Sequence, residues 1–187
     1  IQPLEILCKY FYPDGTILHA YGDAEAFAAE IESKTKDTGA EVSSYLKYCK
    51  GIYDFSADIF LFNSFHEYDT LRRYGTPYML FQLMRIDPFR SVHRANRSFF
   101  KDPRLIQLFD RYATYNGSDP YQAPATLNII PHVENTLGGF LVQGGIHQIP
   151  RALTRLCRDK GVSIHTGMEV QSIVMENKRV KGIKINN

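Results

Sequence analysis

The chain is organised around the stretch Phe140-Leu141-Val142-Gln143-Gly144-Gly145-Ile146-His147-Gln148-Ile149-Pro150-Arg151-Ala152-Leu153. This pattern predicts a short apolar strand, a glycine corner and an amphipathic helix. Four apolar side chains recur at helical spacing, namely Ile146, Ile149, Leu153 and Leu156. Pro150 falls in the first helical turn, and Gly161 is placed for a left-handed C-terminal cap. A glycine pair before a helix lets backbone N–H groups approach a ligand closely, but taken alone the corner favours a plain turn.

The composition is typical of a folded chain from a reducing compartment. Its 187 residues suit one domain or one and a half, and a hydrophobic content of 44% is enough for a core. The three cysteines, Cys8, Cys49 and Cys157, lie far apart and predict three buried free thiols. No apolar run approaches the roughly 18 residues of a membrane span, and no signal peptide is seen. The chain starts without Met and ends in a strand pattern, so we expect an internal piece of a longer protein.

The first half predicts a hairpin followed by two helices. Strand formers at Leu4–Tyr12 and Thr16–Tyr21 flank a Pro-Asp-Gly turn. Asp23 is placed to cap a helix that runs to about Glu32. A second helix is predicted from Glu41 to about Phe62. Its apolar side carries Val42, Tyr45, Leu46, Cys49, Ile52 and Tyr53.

The second half predicts two more helices before the central stretch and strands after it. Asp102-Pro103 is a helix start, and the apolar face that follows carries Leu105, Ile106, Leu108, Phe109 and Tyr112. Another helix is expected from about Gln122, with a disturbance at Pro131. A strand is predicted at Val162–His165 and a hairpin at 169–185, with its turn at Glu176–Arg179.

The middle of the chain is both aromatic and basic. Between Phe60 and Arg104, ten Phe and Tyr residues alternate with eight Arg and Lys residues, and from Arg72 onward the only acids are Asp87 and Asp102. Such a pattern suits a membrane surface, where basic side chains meet lipid head groups, or a helical core with a solvated basic face. Nucleic acid is disfavoured, because no recognition motif for it is present.

The familiar catalytic and cofactor motifs are missing. The chain has no G-x-G-x-x-G loop, no Walker A loop, no nucleophile elbow and no zincin helix. Its six histidines show no ligand spacing, so no metal site is predicted.

Four segments together resemble the carotenoid desaturases, the phytoene dehydrogenase type of flavoprotein within the flavin amine oxidase fold. The closest is Phe109-Asp110-Arg111-Tyr112-Ala113-Thr114-Tyr115-Asn116-Gly117-Ser118-Asp119-Pro120-Tyr121, which resembles the branch that includes hydroxycarotenoid 3,4-desaturases. The others are Phe11–Thr16, Gly144–Ile149 and Thr166–Ile173. Their order and spacing suit that family along nearly the whole chain.

The resemblance implies an α+β fold in two parts. Residues 1–145 would form a helical substrate-binding domain flanked by sheet. Residues 146–187 would be a returning helix and small β-meander of the FAD-binding domain. Hairpin Leu4–Tyr21 is expected to share a sheet with Phe140–Gln143, and Val162–Ile185 to form a separate meander.

The resemblance also implies a function. The complete protein would be an FAD-dependent oxidoreductase that introduces C=C bonds into a carotenoid, cytoplasmic and peripherally attached to a membrane. Catalytic roles would fall to Asp110 and Arg111, although a structural Asp–Arg pair is the plainer interpretation. FAD contacts would come from Gly144, Gly145 and Val170. Carotenoid contacts would come from Phe109, Tyr112, Tyr115, Asn116 and Tyr121.

The sequence also departs from the family. The Rossmann half that carries the pyrophosphate loop and the segment that closes over the flavin are both absent, so these 187 residues alone are expected neither to hold FAD well nor to turn over substrate. Two alternatives remain. One is the substrate domain of a non-carotenoid relative, such as an amine or protoporphyrinogen oxidase. The other is a stand-alone lipid- or membrane-binding module without redox activity.

Overall fold

The computed structural model describes residues 1–60 and 84–186, without the side chains of residues 58–60 and 85. The described chain divides into two compact units. The larger covers Gln2–Phe140, and the smaller runs from Leu141 onward together with Ile1.

The larger unit consists of short strands followed by helices. Its strands are β1 (Gln2–Pro3), β2 (Ile6–Phe11) and β3 (Ile17–Tyr21), and β4 (Phe140–Leu141) starts at its last residue. Its α-helices are α1 (Ala24–Lys34), α2 (Gly39–Phe60), α3 (Val92–Phe99), α4 (Pro103–Asp110) and α5 (Ile129–His132). Tighter 3-10 turns cover Met84–Ile86, Arg111–Asn116 and Ala125–Asn128, and a π-helix covers Val133–Leu137.

The predicted first hairpin is present. β2 and β3 pair antiparallel, with Phe11 opposite Ile17, and a bulge interrupts the register between Ile6 and Cys8. The turn closes because the N–H of Gly15 donates to the carbonyl of Tyr12 at 3.0 Å. Gly15 has φ +83°, a left-handed conformation that glycine adopts at little cost.

The predicted helix starts are confirmed by their caps. The Asp23 side chain accepts from the N–H of Ala26 at 2.8 Å, and the Asp102 side chain accepts from the N–H of Arg104 at 3.0 Å. α2 begins at Gly39, two residues before the predicted start, because Thr38 and Glu41 form a capping box. The Thr38 N–H donates to the Glu41 carboxylate at 2.8 Å, and the Glu41 N–H donates to the Thr38 hydroxyl at 3.3 Å.

The main core of the larger unit is aromatic. Tyr45 of α2 lies 4.3 Å from Phe109 of α4, and Phe100 stacks on Phe109 at 4.9 Å between ring centroids. β3 adds Leu18, and α1 adds Phe27 and Ile31, all fully buried. The predicted apolar faces of α2 and α4 therefore meet each other in this core.

The smaller unit consists of α6 (Gln148–Asp159) and a hairpin of β5 (Val170–Glu176) and β6 (Arg179–Ile185). α6 ends as predicted, since Gly161 has φ +76°. The Gly161 N–H donates to Arg158 and the Val162 N–H to Cys157, both at 2.9 Å, which is a Schellman motif. Asn177 and Lys178 form the hairpin turn with φ of 49° and 62°, so both are left-handed, as a type I′ turn requires.

The predicted sheet pairing was wrong. β4 (Phe140–Leu141) pairs with β1, whereas β2 and β3 form a sheet of their own. The chain leaves the strand conformation at Leu4 and Glu5, so β1 and β2 do not continue one another. The Leu4 N–H donates to the carbonyl of Gly139 at 2.9 Å.

Three further predictions need correction. Val162–His165 is not a strand, since none of the described strands pairs with it. The helix expected from Gln122 begins at Ala125 and changes type twice around Pro131, which lacks the N–H that a regular helix needs there. Of the three free cysteines only Cys49 is fully buried, while Cys8 and Cys157 are partly exposed.

Candidate functional site

A cavity of about 900 Å³ lies on the larger unit, between α3, α4 and the turns that follow α4. Five residues of the predicted signature line it, namely Asp110, Arg111, Thr114, Pro120 and Tyr121. His93, Arg97 and Lys101 also line it, together with apolar side chains that include Phe100 and Ile106. The size is within the range of roughly 300–1,000 Å³ common for small-molecule sites.

His93 and Asp110 form a side-chain pair at this cavity. His93 Nδ1 lies 2.6 Å from Asp110 Oδ2, and both side chains are largely buried. A carboxylate only accepts hydrogen bonds, so Nδ1 carries the proton and Nε2 is left for another partner. The Tyr121 ring packs against the imidazole, with 4.3 Å between centroids. The pair therefore fixes the orientation of one imidazole at the cavity.

A buried polar network holds Asp110 from behind. The Asn96 amide donates to Asp110 Oδ1 at 2.8 Å. The carbonyl oxygen of Asn96 in turn accepts from the Tyr45 hydroxyl at 3.0 Å and from the Asn128 amide at 3.2 Å. Asn96, Tyr45 and Asn128 are all fully buried. Because buried polar groups are costly unless they are paired, this network specifies one position for the carboxylate.

Arg111 also lines the cavity and lies within a cluster of tyrosines. Its guanidinium lies over the rings of Tyr112, Tyr10 and Tyr115, at 4.5, 5.4 and 5.5 Å from their centroids. Arg111 Nη2 lies 3.2 Å from Glu134 Oε1. Glu134 also accepts from the hydroxyls of Tyr112 at 2.9 Å and Tyr115 at 2.8 Å.

The cluster keeps Arg111 cationic and Tyr112 neutral. Burial disfavours the charged guanidinium, yet the hydrogen bond with Tyr115 and the neighbouring Tyr10, Tyr112 and Glu134 hold the pKa of Arg111 above its ordinary value. Burial raises the pKa of Tyr112 well above that of a free phenol. Arg111 is thus a fixed positive charge that donates to Tyr115 and Glu134, while its buried Nε has no hydrogen-bond partner among the described residues.

The other predicted carotenoid contacts are placed differently. Phe109 and Tyr112 lie inside the main core, so in this structure they pack against protein. Tyr115 and Asn116 are exposed, with Tyr115 beside Arg111, and Tyr121 is exposed and packs at a tilt against His93. The signature therefore contains both core residues and surface residues. The proposed contacts of these residues with substrate stay predictions.

Sequence reasoning missed His93 and Asn96. Both lie on α3 and reach Asp110 only because α3 packs against α4. The sequence signal for these two residues was a short polar face on the basic helix α3. That face resembled an ordinary solvent-exposed surface.

The residues predicted to contact FAD all belong to the smaller unit. Gly144 and Gly145 have φ of +80° and +88°, so both require the left-handed conformation. A Cβ on Gly145 would meet nothing within 4 Å, whereas one on Gly144 would meet the flexible Gln148 side chain at 3.2 Å. Val170 begins β5 and is half exposed. The turn alone explains the glycines, and the space at Gly145 is open to a ligand.

Much of the predicted basic aromatic stretch lies outside the described residues. Phe62, Phe65, Tyr68, Arg72, Arg73, Tyr74, Tyr78 and Phe81 are in this part. Within the described part, Phe89 is 79% exposed, and Arg94 and Arg97 are also at the surface. Arg90 instead pairs with Asp87 at 2.6 Å, and Phe100 is in the core.

None of the helices within residues 1–60 and 84–186 combines the length and apolar character that a membrane crossing requires.

Comparison with known proteins identifies homologues along almost the whole chain. A 1-hydroxycarotenoid 3,4-desaturase from Flavobacterium sp. (strain P99-3) is 36% identical over 182 residues, which is 94% of this chain and 36% of that protein. A 4,4'-diapolycopene oxygenase from Methylomonas sp. is 30% identical over 188 residues, which is 100% of this chain and 37% of the relative.

A third relative is the 4,4'-diaponeurosporene oxygenase of Staphylococcus aureus (strain USA300), 31% identical over 181 residues, with 95% of this chain and 35% of the relative covered. No protein-family model matches the chain. The chain spans little more than a third of the length of these relatives. Its homology to them shows that it belongs to the family of carotenoid desaturases and oxygenases.

Proposed function

We propose that the complete protein is an oxidoreductase that introduces C=C bonds into a carotenoid, and that this chain supplies most of its substrate-binding domain. The observation that carries the proposal is the 36% identity to a 1-hydroxycarotenoid 3,4-desaturase along 94% of the chain. Because these relatives are enzymes, the homology favours an enzyme over a stand-alone lipid-binding module.

The residues around the cavity support substrate binding. A polyene offers almost no polar group, so its site must be mainly apolar with a few polar groups at an end. Phe100 and Ile106 supply apolar surface, and His93 and Asp110 are among the polar residues that line the cavity. In this proposal the apolar wall orients the carotenoid chain and keeps water from the reacting carbons.

Asp110 and Arg111 have distinct roles in this proposal. Asp110 orients His93, since both its carboxylate oxygens are engaged by His93 and Asn96. Arg111 provides a permanent positive charge at the cavity wall, held in place by Glu134 and by the tyrosine rings. Such a charge would stabilise negative charge that develops on a neighbouring group.

FAD is the cofactor that the family resemblance implies. Two features of the smaller unit are compatible with FAD binding. The space beside Gly145 in the Gly144-Gly145 turn is open, and the first residues of β5 are exposed. In the complete protein, Gly144, Gly145 and the backbone of Val170 would hold it. When bound, FAD supplies the redox chemistry by accepting the hydrogen removed from the carotenoid.

The proposal also includes association of the complete protein with a membrane surface. A carotenoid dissolves in bilayers, so the enzyme must take it up at their surface. Phe89, Arg94 and Arg97 are exposed aromatic and basic side chains, a composition that suits an anionic interface at roughly 1 kcal/mol per basic residue near the surface. Binding to anionic vesicles that weakens with added salt is the expected behaviour, while equal binding to neutral vesicles would remove the docking role.

Oxygenation is the second candidate activity, because two of the relatives are named as oxygenases. Desaturation removes two hydrogens and adds no atom, whereas oxygenation adds oxygen. Incubating the purified complete protein with acyclic carotenoids in liposomes tests the proposal. We expect a product whose absorption moves to longer wavelength as the conjugated system lengthens. An unchanged carotenoid with every substrate supplied would contradict the proposed function.

A further inference from the structure

The pair of His93 and Asp110 has a consequence for substrate choice. Asp110 engages Nδ1 of the imidazole, and none of the described residues bonds to Nε2. The imidazole lines the cavity and is about one-fifth exposed. The buried side chains of Asn96, Tyr45 and Asn128 hold its carboxylate partner in place. A surface histidine with no role does not require such support.

We propose that Nε2 of His93 binds the oxygen at the end of a carotenoid, a hydroxyl or a carbonyl group, and so selects oxygen-bearing substrates. This inference rests on the proposed function. A neutral imidazole accepts a hydrogen bond from a hydroxyl through Nε2, and an imidazolium donates to a carbonyl. His93 is the specificity-determining residue, and Asp110 is a positioning residue that acts through it.

The charges around the cavity favour a neutral group over an anion. The cations that line the cavity are Arg97, Lys101 and Arg111. Lys101 lies 3.0 Å from Glu41, Arg111 lies 3.2 Å from Glu134, and Asp110 faces the cavity itself. Because three carboxylates offset the three cations, an anionic ligand would gain little attraction here.

The apolar surface next to His93 fits the remainder of such a ligand. Tyr121 packs at a tilt against the imidazole, and Phe100, Pro103, Ile106 and Pro120 line the same cavity. A long apolar chain would lie on these side chains while its terminal oxygen reaches the imidazole. A site that hydrogen-bonds a hydroxyl rejects the analogue without it, because its own polar group then loses its partner.

The test measures equilibrium binding of two polyenes to the complete protein, without turnover. One is a 1-hydroxycarotenoid and the other is the same polyene without the hydroxyl. We expect wild-type protein to prefer the hydroxylated polyene by about tenfold, the value of one hydrogen bond. His93→Phe should abolish this preference, because it should weaken the binding of the hydroxylated polyene alone. His93→Gln should retain part of the preference. Asp110→Asn should reduce the preference.

Gln122→Leu is the matched control, because Gln122 is an exposed polar residue next to Tyr121 and is not part of the cavity lining. It should leave the preference unchanged, and melting curves should show that every variant is folded. A preference that survives in His93→Phe would overturn the inference. Competition by millimolar inorganic phosphate would also overturn it, since that points to an anion site.

Different experimental results would refute the role of His93 and the proposed desaturase function. If the wild-type protein desaturates carotenoids but binds both polyenes equally, only the selection by His93 is refuted. If it neither binds nor converts either polyene, both proposals are refuted together.

Discussion

The carboxylate of Asp37 accepts a hydrogen bond from the backbone N–H of Asp102 at 2.9 Å, although the two residues are 65 positions apart. Asp37 also accepts from the N–H of Lys101 at 2.7 Å. The loop after α1 is thereby fixed to the residue that caps α4. Since α4 ends at Asp110, this junction positions the helix that carries the candidate site.

Asp102 makes the fold sensitive to acid. The hydrogen bond from Arg104, opposed by burial, lowers the pKa of Asp102 from its ordinary 3.8 to about 2. Because the folded-state pKa is the lower one, its contribution to stability is complete above about pH 5 and is lost as the pH falls towards 2. At 1.36 kcal/mol per pKa unit, Asp102→Asn should reduce the free energy of unfolding at pH 7 by about 2 kcal/mol.

Denaturant unfolding of the complete protein between pH 7 and pH 2 measures this effect. Wild type and Asp102→Asn should converge as the solution becomes acidic. Asp14→Asn is the control, because Asp14 also pairs with Arg104 at 3.0 Å but is exposed, and it should follow the wild-type curve. A constant difference between wild type and Asp102→Asn at all pH values would refute the assignment.

Phe109 should matter chiefly for stability. It is fully buried against Tyr45, Phe100 and Phe27, so Phe109→Ala should cost about 3–5 kcal/mol of unfolding free energy. Phe89→Ala removes a ring that is 79% exposed and should leave thermal stability unchanged. A Phe109→Ala protein that melts like wild type but no longer binds carotenoid would mean that the ring belongs to the substrate site.

Gly145 and Gly161 form a matched pair for testing the FAD proposal. Both have positive φ, at +88° and +76°, and at neither would a Cβ meet another atom within 4 Å. Alanine at either position should therefore lower the melting temperature of flavin-free complete protein by a similar amount, equivalent to about 1 kcal/mol. Flavin content after purification should fall only in Gly145→Ala. Full flavin content in Gly145→Ala would show that the corner is only a turn.

The smaller unit exposes its apolar helix face. Leu153 and Leu156 of α6 are 56% and 52% exposed, and no residue of α6 is buried. In the proposed function the remainder of an FAD domain covers this face. Leu153→Glu should then reduce binding of a hydrophobic dye to the 187-residue chain, yet destabilise the complete protein by about 2–3 kcal/mol. Equal stability of the complete protein with and without this substitution would show that the face remains uncovered.

Local features could be predicted from sequence, because their physics is local. The caps at Asp23 and Asp102 and the left-handed Gly161 each depend on a few neighbouring residues. The pairing of β4 with β1 could not be predicted from sequence, because several apolar strands could each have paired with β4. Periodicity also placed Phe109 on an apolar face without showing whether that face met protein or ligand.

The candidate site was only half predictable for the same reason. The signature pointed to Asp110, Arg111 and Tyr121, which do share a cavity. His93 lies 17 residues before Asp110, and no local rule links them. Only the packing of α3 on α4 brings the imidazole to the carboxylate.

Desaturation of a carotenoid by the complete protein is the activity proposed above. Its most direct test is the mass of the product formed when purified protein, supplied with FAD, reacts with one equivalent of 1-hydroxycarotenoid in the absence of oxygen. We predict that the carotenoid loses two hydrogens, gains no other atom and absorbs at longer wavelength. Recovery of the carotenoid unchanged without oxygen, with an oxygen-containing product appearing only in air, would contradict the account and assign the protein to the oxygenases.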